Sequence, residues 1–436
     1  MGIPTVGAAG APFVTYATGY DFEYNIGMPI RYVGFPFPVA GQPKSVHRSY
    51  VFERNDTHSG KPMMQAIIDA LTLPLTDREQ ISGTPPDSKH EPRLLPPATE
   101  AALHQLFEDN DWTDYNPIIL PTEARVAAML KGTSLAPDHV VKTINWPGGN
   151  REMTVEKVAI GAVMAGAKPE HFPLILAVSM SVPFGNSTSS MANMILVNGP
   201  IRNEINMNSK GNVMGPHNKV NSVVGRSLTL LSKTVGDLHH GITTFSGLGS
   251  NIQYNNLTIA ENEEELPVGW DPQHVVNGNK PEDSIVTVGT GWSYISSVGE
   301  VQRQYPPQYL IRDYMRALTG TNATIVVTPE VAAILKDSQK FNSKRDLSDW
   351  LADNVQKTAS SYWGNGVVST SNASLAIQGL EPHATTYRLL ERNPETLIKT
   401  FQSRQINIVV TGKGQTTWFV TDFRVGGRGT RVDDYR

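Results

Sequence analysis

The sequence predicts an α/β fold in two parts: an incomplete doubly wound segment at the N-terminus, then a larger α/β domain with a mixed sheet. Three observations lead there. Strand-like apolar runs alternate with helical apolar spacing along most of the chain. The N-terminal stretch offers only two strands before its helix, too few for a parallel sheet that needs helices on both faces. At 436 residues, the chain also exceeds the roughly 150 residues typical of one domain.

The elements follow in order. Ile3 to Ala11 and Ile30 to Phe35 read as strands, and Met63, Ile67, Ala70 and Leu71 give Pro62 to Leu73 a helical stripe. These form a segment over residues 1–75. Residues 76–98 read as a linker, with Pro85, Pro86 and Pro92 and no apolar period. A helix is expected from Thr99 to Asp109 and another from Thr122 to Leu130. Thr154 suits the N-cap of a helix over Val155 to Ala167, and Pro169 restarts a helix reaching Val182. Met194 to Val197 and Leu257 to Ile259 read as buried strands. A long helix over 217–235 is entered at Gly215-Pro216. Ile285 to Gly289 and Ala323 to Val327 are strands, while Pro306 to Leu318 and Thr328 to Leu335 are helical. Residues 99–330 form the central α/β domain. Residues 331–436 form a C-terminal α/β segment whose last strands, Ile406 to Thr411 and Thr417 to Phe423, are joined at Gly412-Lys413-Gly414.

Composition excludes several functions. Lys plus Arg is 37 and Asp plus Glu 41, a net charge of −4, with a pI near 6.3. Without a basic block there is no platform for nucleic acid. No apolar run approaches the roughly 18 residues of a membrane span. The N-terminus lacks the pattern of a signal peptide, so a cytoplasmic location is expected. With no cysteine, the chain has no disulfide, no thiolate-bound metal and no thiol nucleophile of its own.

Two stretches could carry chemistry. The first runs from Asn198 to Arg226 and holds Arg202, Asn208, His217, Asn218 and Asn221. It follows a strand, where open α/β sheets bind ligands, and precedes a helix whose N-terminus favours an anion. Asn198, Arg202, Asn208, Asn218, Asn221 and Arg226 are the candidate substrate-binding residues. Turn-building asparagines are the competing reading. The second is Glu261-Asn-Glu-Glu-Glu265, where crowded carboxylates favour a raised pKa and acid–base work or oxygen ligation of a divalent metal. A solvated acidic turn is the alternative there. Glu261, Glu263, Glu264 and His217 are the candidate catalytic residues. His171, His239, His240 and His274 lack the spacing of a helical zinc pair, and the methionines at 180, 191, 194, 207 and 214 read as packing. No metal ligand set is assigned.

Five runs carry a resemblance: NDWTDYNPIILPT (Asn110–Thr122), TVEKVAIGAVMAG (Thr154–Gly166), VNGPIR (Val197–Arg202), GPHNKVNSVVGR (Gly215–Arg226) and AENEEE (Ala260–Glu265). In these the chain resembles the bacterial UGSC-motif (seleno)protein family, together with the domain of unassigned function fused to it. The resemblance implies an incomplete Rossmann-like N-terminal half-domain. It also marks a departure, because the family's Cys- or selenocysteine-Gly-Ser-Cys turn and the half-domain before it have no counterpart here.

The expectation is therefore a subunit of a hetero-oligomeric enzyme that binds a small polar or anionic organic substrate. A small companion chain would complete the N-terminal domain and supply thiol or selenol chemistry, either redox or carbon–heteroatom cleavage. The alternatives are a self-contained carboxylate- or metal-dependent hydrolase or lyase, with a divalent metal as cofactor, and a non-catalytic binding or structural subunit.

Overall fold

Two short parallel strands open the chain. The computed structural model describes residues 5–11, 14, 30–37, 39, 42–80, 93–144, 151–182, 192–236, 249–297, 305–319 and 322–436. β1 (Val6–Gly10) pairs with β2 (Arg31–Phe35), and α1 (Lys44–Phe52), α2 (Met63–Thr72) and the short α3 (Asp77–Gln80) follow. The apolar stripe expected over 62–73 meets the strand: Met63 and Ala66 close a small core with Val33. The sequence reading misses α1, a helix that buries no residue. Arg31 ties this segment together, donating to both oxygens of Glu79 and to the carbonyls of Leu73 and Pro74. Its bonds bring the Glu79 carboxyl down to about 2.

Caps set the next helices. Thr99 caps α4 (Glu100–Asp109) and Thr122 caps α5 (Glu123–Leu130), each hydroxyl accepting from a first-turn N–H with a glutamate beside it. An antiparallel pair, β3 (Val140–Ile144) and β4 (Arg151–Thr154), leads into α6 (Val155–Ala165), capped by Thr154 as its sequence predicts. α7 (Phe172–Ser181) is apolar all round and buried along nearly its whole length.

The rest builds two four-stranded sheets. β5 (Ala192–Asn198), α8 (Ile201–Glu204), α9 (Lys219–Thr234), β6 (Leu257–Ala260), α10 (Gln273–Val276), β7 (Ile285–Gly291) and β8 (Tyr294–Ser296) come first. Next are α11 (Pro307–Met315), β9 (Ala323–Val327), α12 (Pro329–Ala333) and α13 (Lys344–Asn354). A short excursion follows, with β10 (Gln356–Thr358), α14 (Ala359–Trp363), α15 (Gly366–Ile377), α16 (His383–Arg392) and β11 (Leu397–Lys399). The chain returns as β12 (Ile406–Val410), β13 (Trp418–Thr421) and β14 (Thr430–Arg431).

One sheet has the order β14-β7-β5-β6 and the other β12-β9-β13-β8. Both are mixed: β5 and β6 are parallel, as are β9 and β12, while the remaining pairs are antiparallel. Sheet pairing crosses residue 330, since β9 lies between β12 and β13, and β14 returns to β7.

The sheets pack face to face between two helical layers, and the strand period of two shows it. On β5, Ile195 and Val197 face α6, α7 and α9, while Met194 and Leu196 face the other sheet. On β9, Ile325 and Val327 face α11, α12 and α13, and Val326 faces back toward β5. The fold is thus α/β in four layers, and strands buried on both faces explain apolar runs without polar alternation. No helix among the described residues is long and apolar enough to cross a membrane.

Two expectations change. α9 begins at Lys219 rather than at Pro216, because His217 takes a left-handed φ of 79°. The Asn218 amide bonds the Asn212 and Gly215 carbonyls and closes a turn there. The last long strands are also not neighbours. β12 and β13 flank β9, so residues 411–417 cross the carboxyl end of β9.

Leu196 lies in the layer between the sheets. Leu196→Ala is expected to cost about 2–5 kcal/mol, read as a lower urea midpoint at unchanged slope. Ile377→Ala, at a side chain 75% exposed, should stay within about 0.5 kcal/mol. Equal effects would contradict face-to-face sheet packing.

Candidate functional site

Parallel neighbours release their chains at the same edge of a sheet, so the turns after β5 and β6 emerge side by side. Asn198 ends β5 and Glu261 follows β6. The structure joins these two sequence features in one buried knot. The Glu261 carboxylate is 0% exposed. Its Oε1 accepts from Lys344 Nζ at 2.6 Å and the Val410 N–H at 3.1 Å. Its Oε2 accepts from Asn198 Nδ2 at 2.8 Å and the Gln273 N–H at 2.6 Å. Lys344 comes from the first turn of α13 and is itself 2% exposed. Burial pushes its ammonium pKa down, against the pull of Glu261.

Arg202 is the second centre of the knot. It donates to the Gly199 and Glu261 carbonyls and pairs with Glu263 at 2.9 Å and with Glu264 at 3.1 Å. Glu263 also accepts from Asn198 and the Gly199 N–H. Burial pushes the Glu264 carboxyl up, but bonds from Arg202 and Asn203 outweigh it and hold the group at about 2. Chemically these carboxylates are occupied. Each Glu261 oxygen already accepts two bonds, and a carboxyl at about 2 is a weak base near neutrality.

The candidate amides serve the loop itself. Asn208 and Asn221 exchange backbone and side-chain bonds, Asn208 Nδ2 donates to Asn218, and Asn221 reaches the Thr258 carbonyl. Asn218 and Asn221 also line a small cavity of about 70 Å³. The face of α9 that carries Asn221 and Gly225 lies against the turn into β6, where a Cβ at Gly225 would collide with the Asn255 carbonyl. Arg226 forks onto Asp114 at 2.9 Å on both arms and reaches the Asn116 and Pro117 carbonyls. It therefore holds the turn before α5. Burial pushes the Asp114 carboxyl up, but Arg226 outweighs it and sets it below its ordinary value. His217 is exposed.

A larger cleft of about 560 Å³ opens beside the knot, over the carboxyl ends of β9 and β12. Asn212 to Gly215 form one wall and Thr411 to Gln415 the other, with Thr328, Ser296 and Ser297 between them and Val326, Val327, Trp418 and Phe419 beneath. Most of its hydroxyls are bonded within the protein. Thr328 donates to the Gln415 carbonyl, Thr411 to Ser209 and Ala260, and Ser297 to Trp418. Lys413 is the one ionisable residue among the described residues of this lining.

Sequence reasoning missed Lys344, Gln273 and Lys413, and weighed His274 only as a metal ligand. Nothing marks Lys344 as buried, since lysine is ordinarily exposed. A signal existed only for Lys413, flanked by two glycines at a strand end. His274 is buried with neither ring nitrogen bonded among the described residues, its Nδ1 lying 3.8 Å from Glu263. His171 accepts from the Lys168 N–H, and burial lowers its pKa. His239 and His240 lie outside the described residues. Among the described residues no group of three or more His, Asp or Glu gathers to hold a metal ion.

Removing one partner of a buried ion pair strands the other. Glu261→Ala is expected to cost about 3–5 kcal/mol, and Glu261→Ala with Lys344→Met less than the two single losses added. Additive denaturation energies would show that the pair is not coupled. Arg226→Ala should cost about 1–3 kcal/mol. The lowered Asp114 carboxyl stabilises the fold above its unfolded value of 3.8, and that stability is lost as pH falls through the lower folded value. The acid limb of a stability–pH curve should therefore flatten in Arg226→Ala; an unchanged limb would contradict the assignment.

Set against known proteins, the chain matches no family model, no curated protein and no solved structure.

Proposed function

We propose that this chain is the ligand-holding subunit of a hetero-oligomeric enzyme. Its cleft takes a small polar or anionic organic molecule, and a partner chain brings the reactive thiol or selenol. One observation carries the reading. The cleft sits at the carboxyl ends of β9 and β12, where α/β sheets bind ligands, yet its lining has no carboxylate, imidazole or thiol among the described residues. It can bind and orient a molecule, while proton transfer or nucleophilic attack needs a group from elsewhere. Glu261, Glu263, Glu264 and Arg202 then act as the frame that sets the edge of the cleft.

Other features support a partner. The chain has no cysteine. The described part of the N-terminal segment is a two-stranded parallel sheet over a core of Val33, Met63 and Ala66, a size that is marginal by itself. Phe52, Ile68, Leu73 and Leu75 stand exposed around it. The likeness of the runs at Asn110–Thr122 and Gly215–Arg226 to the UGSC-motif family agrees. In such a reaction the thiolate or selenolate attacks carbon, and the carbon–heteroatom bond breaks with its electron pair leaving on the heteroatom.

Native mass spectrometry of the protein from its own host is expected to show a stoichiometric companion chain containing cysteine or selenocysteine. A homo-oligomer of this chain alone, turning over substrate by itself, would overturn the proposal.

A further inference from the structure

The loop that carries Lys413 is held by backbone bonds at Gly412, Gly414 and Gln415, while the Lys413 side chain pairs at the surface with Glu265. The Gly412 N–H donates to the Ser209 carbonyl at 2.9 Å, and Asn262 Nδ2 donates to the Gly412 carbonyl at 3.3 Å. The Gly414 N–H donates to Glu330 Oε1 at 2.7 Å, and Thr328 Oγ1 to the Gln415 carbonyl at 2.6 Å. Gly412 and Gly414 take left-handed φ values of 85° and 97°, a conformation that glycine adopts without a Cβ penalty. They turn the chain sharply on either side of Lys413.

The Lys413 side chain is 53% exposed, and its one close acidic partner among the described residues is Glu265, 2.7 Å away. Of the other cations near this edge, Arg202 and Lys344 are buried in the knot with Glu261, Glu263 and Glu264, and Lys210 is exposed near Glu265. Among the described residues the cleft thus joins an apolar floor to a single cation and has no anion in its lining. That arrangement complements a molecule with an apolar body and one negative end.

We propose that Lys413 receives the anionic end of the cleft's ligand, a carboxylate or phosphate on an apolar body, and that Glu265 is a resident counter-ion which this end displaces. The inference rests on the reading of the cleft as a ligand site. An exposed single-contact ion pair is weakly held, so exchanging one carboxylate for another costs little. Glu265 is ionised near neutrality, since its bond to Lys413 holds the carboxyl below its ordinary value. It therefore competes with the ligand, and removing its charge must strengthen binding. A lysine that merely tethers the loop does not make that prediction.

The test uses the protein as purified from its host, with whatever accompanies it, and compares wild type with Lys413→Met and Glu265→Gln. The probes are 3-phenylpropionate, inorganic phosphate and the neutral 3-phenylpropionamide, titrated by calorimetry and by tryptophan fluorescence. Lys413→Met is expected to weaken the anionic probes about tenfold, and Glu265→Gln to tighten them severalfold, with the amide unchanged in both. The relative affinity of the two anions tells a carboxylate end from a phosphate end. If the probes bind wild type and neither variant alters the anions, the inference falls and the cleft stands as a ligand site. If neither anion nor amide binds wild type, both fall together.

Discussion

A carboxylate with no access to water must find all its hydrogen bonds inside the protein, and Glu261 finds them on four other elements. Its donors come from the end of β5, the start of α10, the end of β12 and the first turn of α13, while its own backbone continues β6. An unpaired charge in that position would be too costly to hold, so these elements must arrive together. Neighbouring bonds reinforce the junction. The Asn262 N–H donates to the Val410 carbonyl, and Thr411 donates to Ala260 across the two sheets. The face-to-face layer of Met194, Leu196, Val326, Val409 and Phe419 is apolar and non-directional, so it does not by itself set how the two sheets register. The polar junction supplies that direction.

The position of the cleft follows from the same junction. With β6 and β12 stapled at their carboxyl ends, the loop through Asn212 to Gly215 and the loop through Thr411 to Gln415 are held facing each other. Because β12 and β13 flank β9, the second loop has to cross the end of β9, and the cleft lies beneath that crossing. Charge is divided sharply across this edge. Glu261 and Glu263 are inside and saturated and Glu264 is paired at the surface with Arg202, whereas the one cation facing the cleft among the described residues sits on a loop with little to recommend it beyond its glycines. His274 is one exception within the interior, an imidazole beside Glu263 with both nitrogens unbonded among the described residues.

Much of the fold was legible along the chain because its causes are local. Thr99, Thr122 and Thr154 each announce a helix by a hydroxyl positioned to accept a first-turn N–H, and each caps one. Ala323 to Val327 and Leu257 to Ala260 read as strands through unbroken apolar runs, as strands covered on both faces should. The acidic run was correctly placed at a sheet edge for the same reason. α1, which buries no residue, was missed. The start of α9 was misplaced, since Pro216 suits a first helical turn and nothing local showed that His217 would turn left-handed.

By itself, then, the sequence determined the α/β class, the absence of thiol chemistry in this chain, about half of the elements, and the arrival of Asn198 and Glu261 at strand ends. The tertiary structure alone decided their partners. Lys344 lies far along the chain from Glu261, and Arg226 pairs with Asp114 on a distant turn. A side chain's availability for chemistry depends on which groups long-range packing places beside it. Spacing along one chain does not encode that, because a saturated carboxylate and a free one are spelled with the same residue.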